Sequence, residues 1–307
     1  VKIHVRGRYD RLGEIVPRRF PRILAGENQP AISDGSGRLQ LANWIANAEN
    51  PLTARVMVNR IWQHHFGEGI VRTPNNYGKL GEPPTHPELL DFLANEFVKL
   101  GWSIKAMHRA IMLSATYQQS SSSAGSAKVD PENKLFGRMN RRRLESEALR
   151  DSLLSVSGKL DLTLNGPSLR DFSTNRRTLY ITTIRSDRAT YQFLFDAADP
   201  NAIVEKRVDS TVSPQALFLL NHPFVVAQTK AVAQRLSQLK NADAQKKIQW
   251  LYETLYGRLP LPEEIKIGRK LLAPMKVAEK GNPVAEALAL EQYCQILLCA
   301  NEFIYVD

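Results

Sequence analysis

Thr53-Ala54-Arg55-Val56-Met57-Val58-Asn59-Arg60-Ile61-Trp62-Gln63-His64-His65-Phe66 decides the fold class of this chain. Ala54, Met57, Val58, Ile61, Trp62, His65 and Phe66 recur at steps of three and four. That spacing gathers them on one face of an α-helix, whereas a strand would need alternation. Thr53 is the expected N-cap, and Gly67 and Gly69 the stop.

Working outward, the same period returns on both sides. A Gly/Pro-rich loop runs from Ile70 to Pro84. Thr85 and Glu88 then have capping-box spacing ahead of a helix with Leu90, Leu93, Phe97 and Leu100 on its buried face. Gly101 ends that helix, and Ser103 is placed to cap the next, whose face is Ile104, Met107, His108, Ile111 and Ala115. Upstream, Leu39, Ala42, Ile45 and Ala46 form a shorter stripe. Residues 1–36 are punctuated by Gly and Pro and read as irregular, with a short strand at Lys2–Arg6. The Ser-rich stretch 120–129 is an expected linker between a helical lobe at 37–119 and a second, mainly helical lobe at 130–307.

In that second lobe a helix is expected from about Leu144 to Leu160. Thr178–Ile184 (TLYITTI) is β-branched and reads as a strand, either paired with Lys2–Arg6 or in a local hairpin. Ser213-Pro214 starts a helix, Asn221-His222-Pro223 breaks it, and Val225, Thr229, Val232, Leu236 and Leu239 mark another. Three more follow. One has Ile248, Leu251, Tyr252 and Leu255 on a face, one has Ile265, Gly268, Leu271, Leu272 and Met275, and one spans Val284 to Ala300 and is apolar on more than one side. The expected fold is therefore mainly α, a multi-helix domain with a small β element near 2–6 and 178–184.

Composition fits a globular chain with a sizeable core, since 43% of the 307 residues are hydrophobic and 23% charged. No apolar run approaches the ~20 residues of a membrane-spanning helix. The chain begins at Val1 without an initiator Met, as a piece of a longer protein would. Its net charge of +10 favours polyanionic partners. Cys294 and Cys299 lie five apart in an expected helix, too far for an unstrained disulfide, and read as core residues. No C-x-x-C-H occurs, so this segment attaches no c-type haem, and no cofactor is expected in it.

Three groups of residues invite a functional reading. His65 and His108 fall on apolar helix faces, and His86 opens the helix between them. Three converging imidazoles would suit a transition metal or a general base, while three separately buried histidines would be core residues. Asn59, Arg60, Gln63 and His64 lie away from the apolar stripe and, with Arg72 and Asn76 in the following loop, would line a polar cleft. The competing reading is a solvated face. Arg141, Arg142 and Arg143 form a basic cluster able to hold an anion, but Arg143–Glu147 spacing also fits an ion pair within a helix. Nucleic-acid binding is the weakest of these readings, because no recognition motif accompanies the cluster. Phosphate-loop, dinucleotide and nucleophile-elbow motifs are absent as well.

The chain also resembles the planctomycete surface domain, a family of unknown function. The likeness rests on Gly37-Arg38-Leu39, Asn50-Pro51-Leu52-Thr53-Ala54-Arg55-Val56, Asn59-Arg60-Ile61-Trp62-Gln63-His64-His65-Phe66-Gly67 and Pro84-Thr85-His86-Pro87-Glu88. Gly101-Trp102-Ser103, Arg141-Arg142-Arg143-Leu144-Glu145, Ser213-Pro214-Gln215-Ala216-Leu217 and Gly257-Arg258-Leu259-Pro260 extend it over nearly the whole chain. Leu261 departs from the pattern, where Thr or Ser would cap the next helix. The resemblance implies an extracytoplasmic domain of a larger protein, with the parent's other domains as partners and a haem module elsewhere in the parent chain. It implies no activity. The leading expectation is a non-catalytic binding or scaffolding module for an anionic polysaccharide or a redox partner. The rival is a hydrolase or metal-dependent enzyme using His65, His86 and His108.

Overall fold

Helices dominate the regular structure, as the 3.6-residue pattern of apolar residues requires. The computed structural model describes residues 2–33, 35–122, 124–187, 191–239, 242–272 and 283–306. Contacts divide the chain into two units, Val1–Asn140 and Arg141–Asp307. The Ser-rich stretch 120–129 lies inside the first unit and carries a short helix.

The first unit opens with an antiparallel hairpin, β1 (Lys2–His4) against β2 (Leu12–Ile15), with Lys2 opposite Ile15. Helices α1 (Arg22–Ala25), α2 (Arg38–Ile45), α3 (Thr53–Phe66), α4 (Pro87–Lys99), α5 (Ile104–Met112) and α6 (Ala124–Val129) follow. α3 packs on α4 and α5. The core joins Val58, Ile61, Trp62 and Phe66 of α3 to Leu90, Leu93 and Phe97 of α4 and to Met107 and Ile111 of α5. Gly67 ends α3 at φ +81°, a left-handed conformation that glycine adopts without a Cβ penalty.

Two expected caps are made differently. Thr53 does not cap α3. Its hydroxyl donates to the Ile45 carbonyl at 2.7 Å, and Asn50 Oδ1 instead accepts the Leu52 and Thr53 N–H groups. The Thr85–Glu88 capping box does not form either. α4 starts at Pro87, and the Thr85 hydroxyl donates to the Ile70 carbonyl at 3.3 Å. Ser103 does cap α5, accepting the Ala106 N–H at 3.2 Å.

The second unit contains β3 (Arg142–Arg143), α7 (Ser146–Ser157), α8 (Tyr191–Leu194), α9 (Ser213–Asn221), α10 (Pro223–Ser237), α11 (Ala244–Tyr256), α12 (Pro262–Leu272), α13 (Pro283–Leu298), α14 (Asn301–Ile304) and β4 (Tyr305–Val306). β3 and β4 pair antiparallel, Arg142 opposite Val306. α10 packs on α7, α9 and α13 around Leu149, Leu153, Val232, Leu236, Cys294 and Leu298, all with no exposed surface. Met275 lies outside the described residues, as do the side chains of Val284 to Glu286.

The strand expected at 178–184 is not there. Thr178–Tyr180 is a single 3-10 turn, and Leu169 and Ile181 form an isolated parallel bridge. The reason lies in two side chains of α7. Asp151 Oδ1 accepts both the N–H and the hydroxyl of Thr178, at 2.7 and 2.6 Å. Arg150, fully buried, donates to the carbonyls of Phe172, Thr174 and Arg176. Side chains of α7 thus satisfy backbone groups that a strand would have offered to a neighbour.

Candidate functional site

The sequence-based candidates in the first unit separate into unlike environments. Asn59, expected to line a polar cleft, has no exposed surface. Its amide makes two bonds to one residue: Nδ2 donates to the Val71 carbonyl at 3.0 Å, and Oδ1 accepts the Val71 N–H at 2.8 Å. It locks the loop after α3 from within the core. Arg60 is exposed and donates to Asn75 Oδ1, and Asn76 closes a turn by accepting the Gly78 N–H. Arg72 reaches back to the Glu132 carbonyl at 3.0 Å. Gln63 is half-buried and His64 exposed, and both are engaged within the protein. Buried as it is, Asn59 shares no surface with the exposed Arg60 and His64. A cleft of about 430 Å³ lies elsewhere on this unit, among Arg55, Val71, Tyr77, Pro84, Leu90 and Asp91. Arg55 Nε there sits 2.6 Å from Asp91, Glu82 adds a second carboxylate, and burial pushes the Tyr77 phenol up to about 12.

Two of the three candidate imidazoles meet. His65 Nε2 lies 2.7 Å from His108 Nδ1, and the rings cross at 74° with centroids 4.9 Å apart. Tyr117 stands edge-on to His65 at 5.2 Å. His86 is engaged otherwise: Nδ1 contacts the Thr85 hydroxyl at 3.0 Å, and its ring lies on Phe136. Among the described residues, no group of three or more His, Cys, Asp or Glu side chains is placed to hold a metal ion. The pair can share a proton, since one ring must donate where the other accepts.

In the second unit, the basic cluster is split. Arg143 is 5% exposed and clamped by Asp196 at 2.6 Å, Asp209 at 3.1 Å and the Ser210 carbonyl at 2.7 Å. It lies in β3, not in a helix, so the expected Arg143–Glu147 pair is replaced by Arg207–Glu147 at 2.6 Å. Arg141 and Arg142 have partners of their own. The Arg143 charge is therefore met by carboxylates of its own unit.

What the unit does contain is a cleft of about 900 Å³. It is walled by the loop after α7, by α8, and by the junction of α9 with α10. Phe172, Ile181, Ile184, Phe193 and Phe218 contribute apolar surface, and Arg170, Thr182, Asp187 and Gln192 polar groups. Tyr191 stands at its base with its hydroxyl donating to the Ser146 carbonyl at 2.8 Å, and burial raises its phenol pKa far above the ordinary value. His222 sits where Asn221-His222-Pro223 interrupts the helix. Its Nδ1 accepts the Phe224 N–H at 3.2 Å, and its ring stacks on Phe218 with centroids 4.2 Å apart. Burial lowers its pKa, keeping the ring neutral at pH 7 with the proton on Nε2.

Sequence reading missed this cleft. His222 was legible only as part of a helix break, and Phe172, Tyr191 and Phe218 come from a loop and two helices with no shared period. The available signal was the aromatic density between residues 172 and 224.

Residues 37–272 match the family model described as PSD1, a protein of unknown function (DUF1553). No curated protein and no solved structure matches the chain.

Proposed function

The chain belongs to the PSD1 family of unknown function, and from that premise we propose that it is a non-catalytic binding module of a larger extracytoplasmic protein, with its ligand seat in the cleft of the second unit. The observation that carries this reading is the cleft itself. Its volume of about 900 Å³ is of the size that small-molecule sites occupy, and its walls are mainly apolar with a few polar groups to orient a guest. The sulfated-glycan and redox-partner readings rest on the net charge of +10 and on the family resemblance.

Thermal unfolding of the full chain against a panel of small amphiphiles, with a sulfated oligosaccharide included at physiological salt, tests the proposal. A ligand at a hundred times its Kd stabilises by about 2.7 kcal/mol. Ile184 is 42% exposed at the cleft wall, so Ile184→Trp fills space without opening the core. The expected result is a stabilising compound whose effect disappears in Ile184→Trp. No stabilising compound, or equal stabilisation of the filled variant, contradicts the proposal.

Acid–base catalysis at His65–His108 is a second reading, favoured by their 2.7 Å contact. It requires a hydrolytic activity that His65→Gln abolishes while the melting temperature stays close to that of the parent.

A further inference from the structure

Among the described residues that line the second-unit cleft, the cation and the carboxylate differ in what holds them. Arg170 lines it, is exposed, and forms no hydrogen bond or ion pair among the described residues. Asp187, the acidic group of the lining, is already engaged within the protein. Behind the aromatic wall lies a second cation. The Arg150 guanidinium is fully buried, 5.0 Å from the Phe172 ring centre and 5.2 Å from that of Phe224. Its nearest carboxylate is Asp151 at 3.7 Å, which also faces Arg177 at 3.8 Å and accepts from Thr178. Charges act more strongly across such low-dielectric material than through water. His222 adds a directed donor, because its Nδ1 is occupied by the Phe224 N–H and its Nε2 has no partner among the described residues.

Resting on the reading of this cleft as a ligand seat, we propose that it takes an organic anion, a carboxylate, sulfonate or sulfate joined to an aromatic or branched apolar body. The anion is held by Arg170 with the His222 Nε2–H as a second donor, and the body lies against Phe172, Phe218 and Ile181. A cationic guest of similar shape would meet the aromatic faces too, but against the charge of Arg150 and Arg170.

Two fluorescent probes of similar size separate the parts of this proposal: 8-anilinonaphthalene-1-sulfonate, which is anionic, and N-phenyl-1-naphthylamine, which is neutral. Each is titrated into the full chain and into the Arg170→Met, Lys159→Met and Ile184→Trp variants. Lys159 is exposed and does not line the cleft, so it controls for net charge. The sulfonate is expected to bind about fivefold more tightly than the amine. Arg170→Met should reduce that difference and leave the amine unchanged, and Lys159→Met should change neither. Equal affinities in the parent chain, or a preference untouched by Arg170→Met, overturn the anion assignment while leaving the cleft as a seat. Binding of both probes undiminished in Ile184→Trp overturns the seat itself.

Discussion

Asn59 shows how a polar residue in a site-like motif can be structural. It sits among Arg60, Gln63 and His64, yet both ends of its amide are spent on Val71. Asn59→Ala leaves a buried N–H and a buried carbonyl unpaired, and is expected to cost about 2–3 kcal/mol in chemical denaturation. A loss below ~0.5 kcal/mol would mean that water or another group takes over the pair. The same lock explains Gly69, where an added Cβ would stand 2.5 Å from the Val71 carbonyl oxygen and 2.8 Å from the Asn59 amide. Gly69→Ala is accordingly expected to destabilise by ~1–3 kcal/mol. His222 makes a pH-dependent contribution. Its folded pKa is depressed by burial, so the unfolded chain takes up a proton first as pH falls. Its contribution is full above the unfolded value of about 6.5 and is lost on acidification through the folded pKa. His222→Phe keeps the stack on Phe218 and should flatten the stability profile in that acidic window. An unchanged slope there would show that His222 does not titrate on unfolding.

At the scale of elements, the helices were legible and the irregular connections were not. α3, α4 and α5 follow from apolar spacing, because helical burial repeats in the sequence whatever the helix packs against. The break at His222 was equally legible, since proline cannot continue a helix. The 178–184 strand failed because β-branched residues express a preference for extended backbone, not a partner. Here the partners are Arg150 and Asp151, whose side chains bind the carbonyls of 172–176 and the N–H of Thr178. Nothing in the local sequence announces that tie across more than twenty residues. Arg150→Met should therefore loosen one stretch and not the whole unit. The expected result is faster amide hydrogen exchange across 172–180, together with a loss of roughly 3 kcal/mol or more from the orphaned carbonyls. Uniform acceleration across α10 and α13 instead would assign Arg150 to the general core.

At the scale of the whole molecule, each unit has its own apolar core, and each carries a cleft. The net charge of +10 was readable from composition, but composition does not say which cations are free. Arg143 is clamped by two aspartates and Arg72 by Glu132, whereas Arg170 is not engaged among the described residues. Among the described residues, no helix is long and apolar enough to cross a membrane. The candidate site was the least legible feature, because its walls come from three separated segments that only the fold brings together. Isoleucine δ-methyl NMR of the full chain, titrated with 8-anilinonaphthalene-1-sulfonate, tests the central claim most directly. Ile181 and Ile184 line the second-unit cleft, whereas Ile61 and Ile111 lie in the first unit's core. The account predicts saturable shifts at Ile181 and Ile184 with Ile61 and Ile111 unmoved. Saturable shifts confined to other methyls, or none at Ile181 and Ile184, would contradict it.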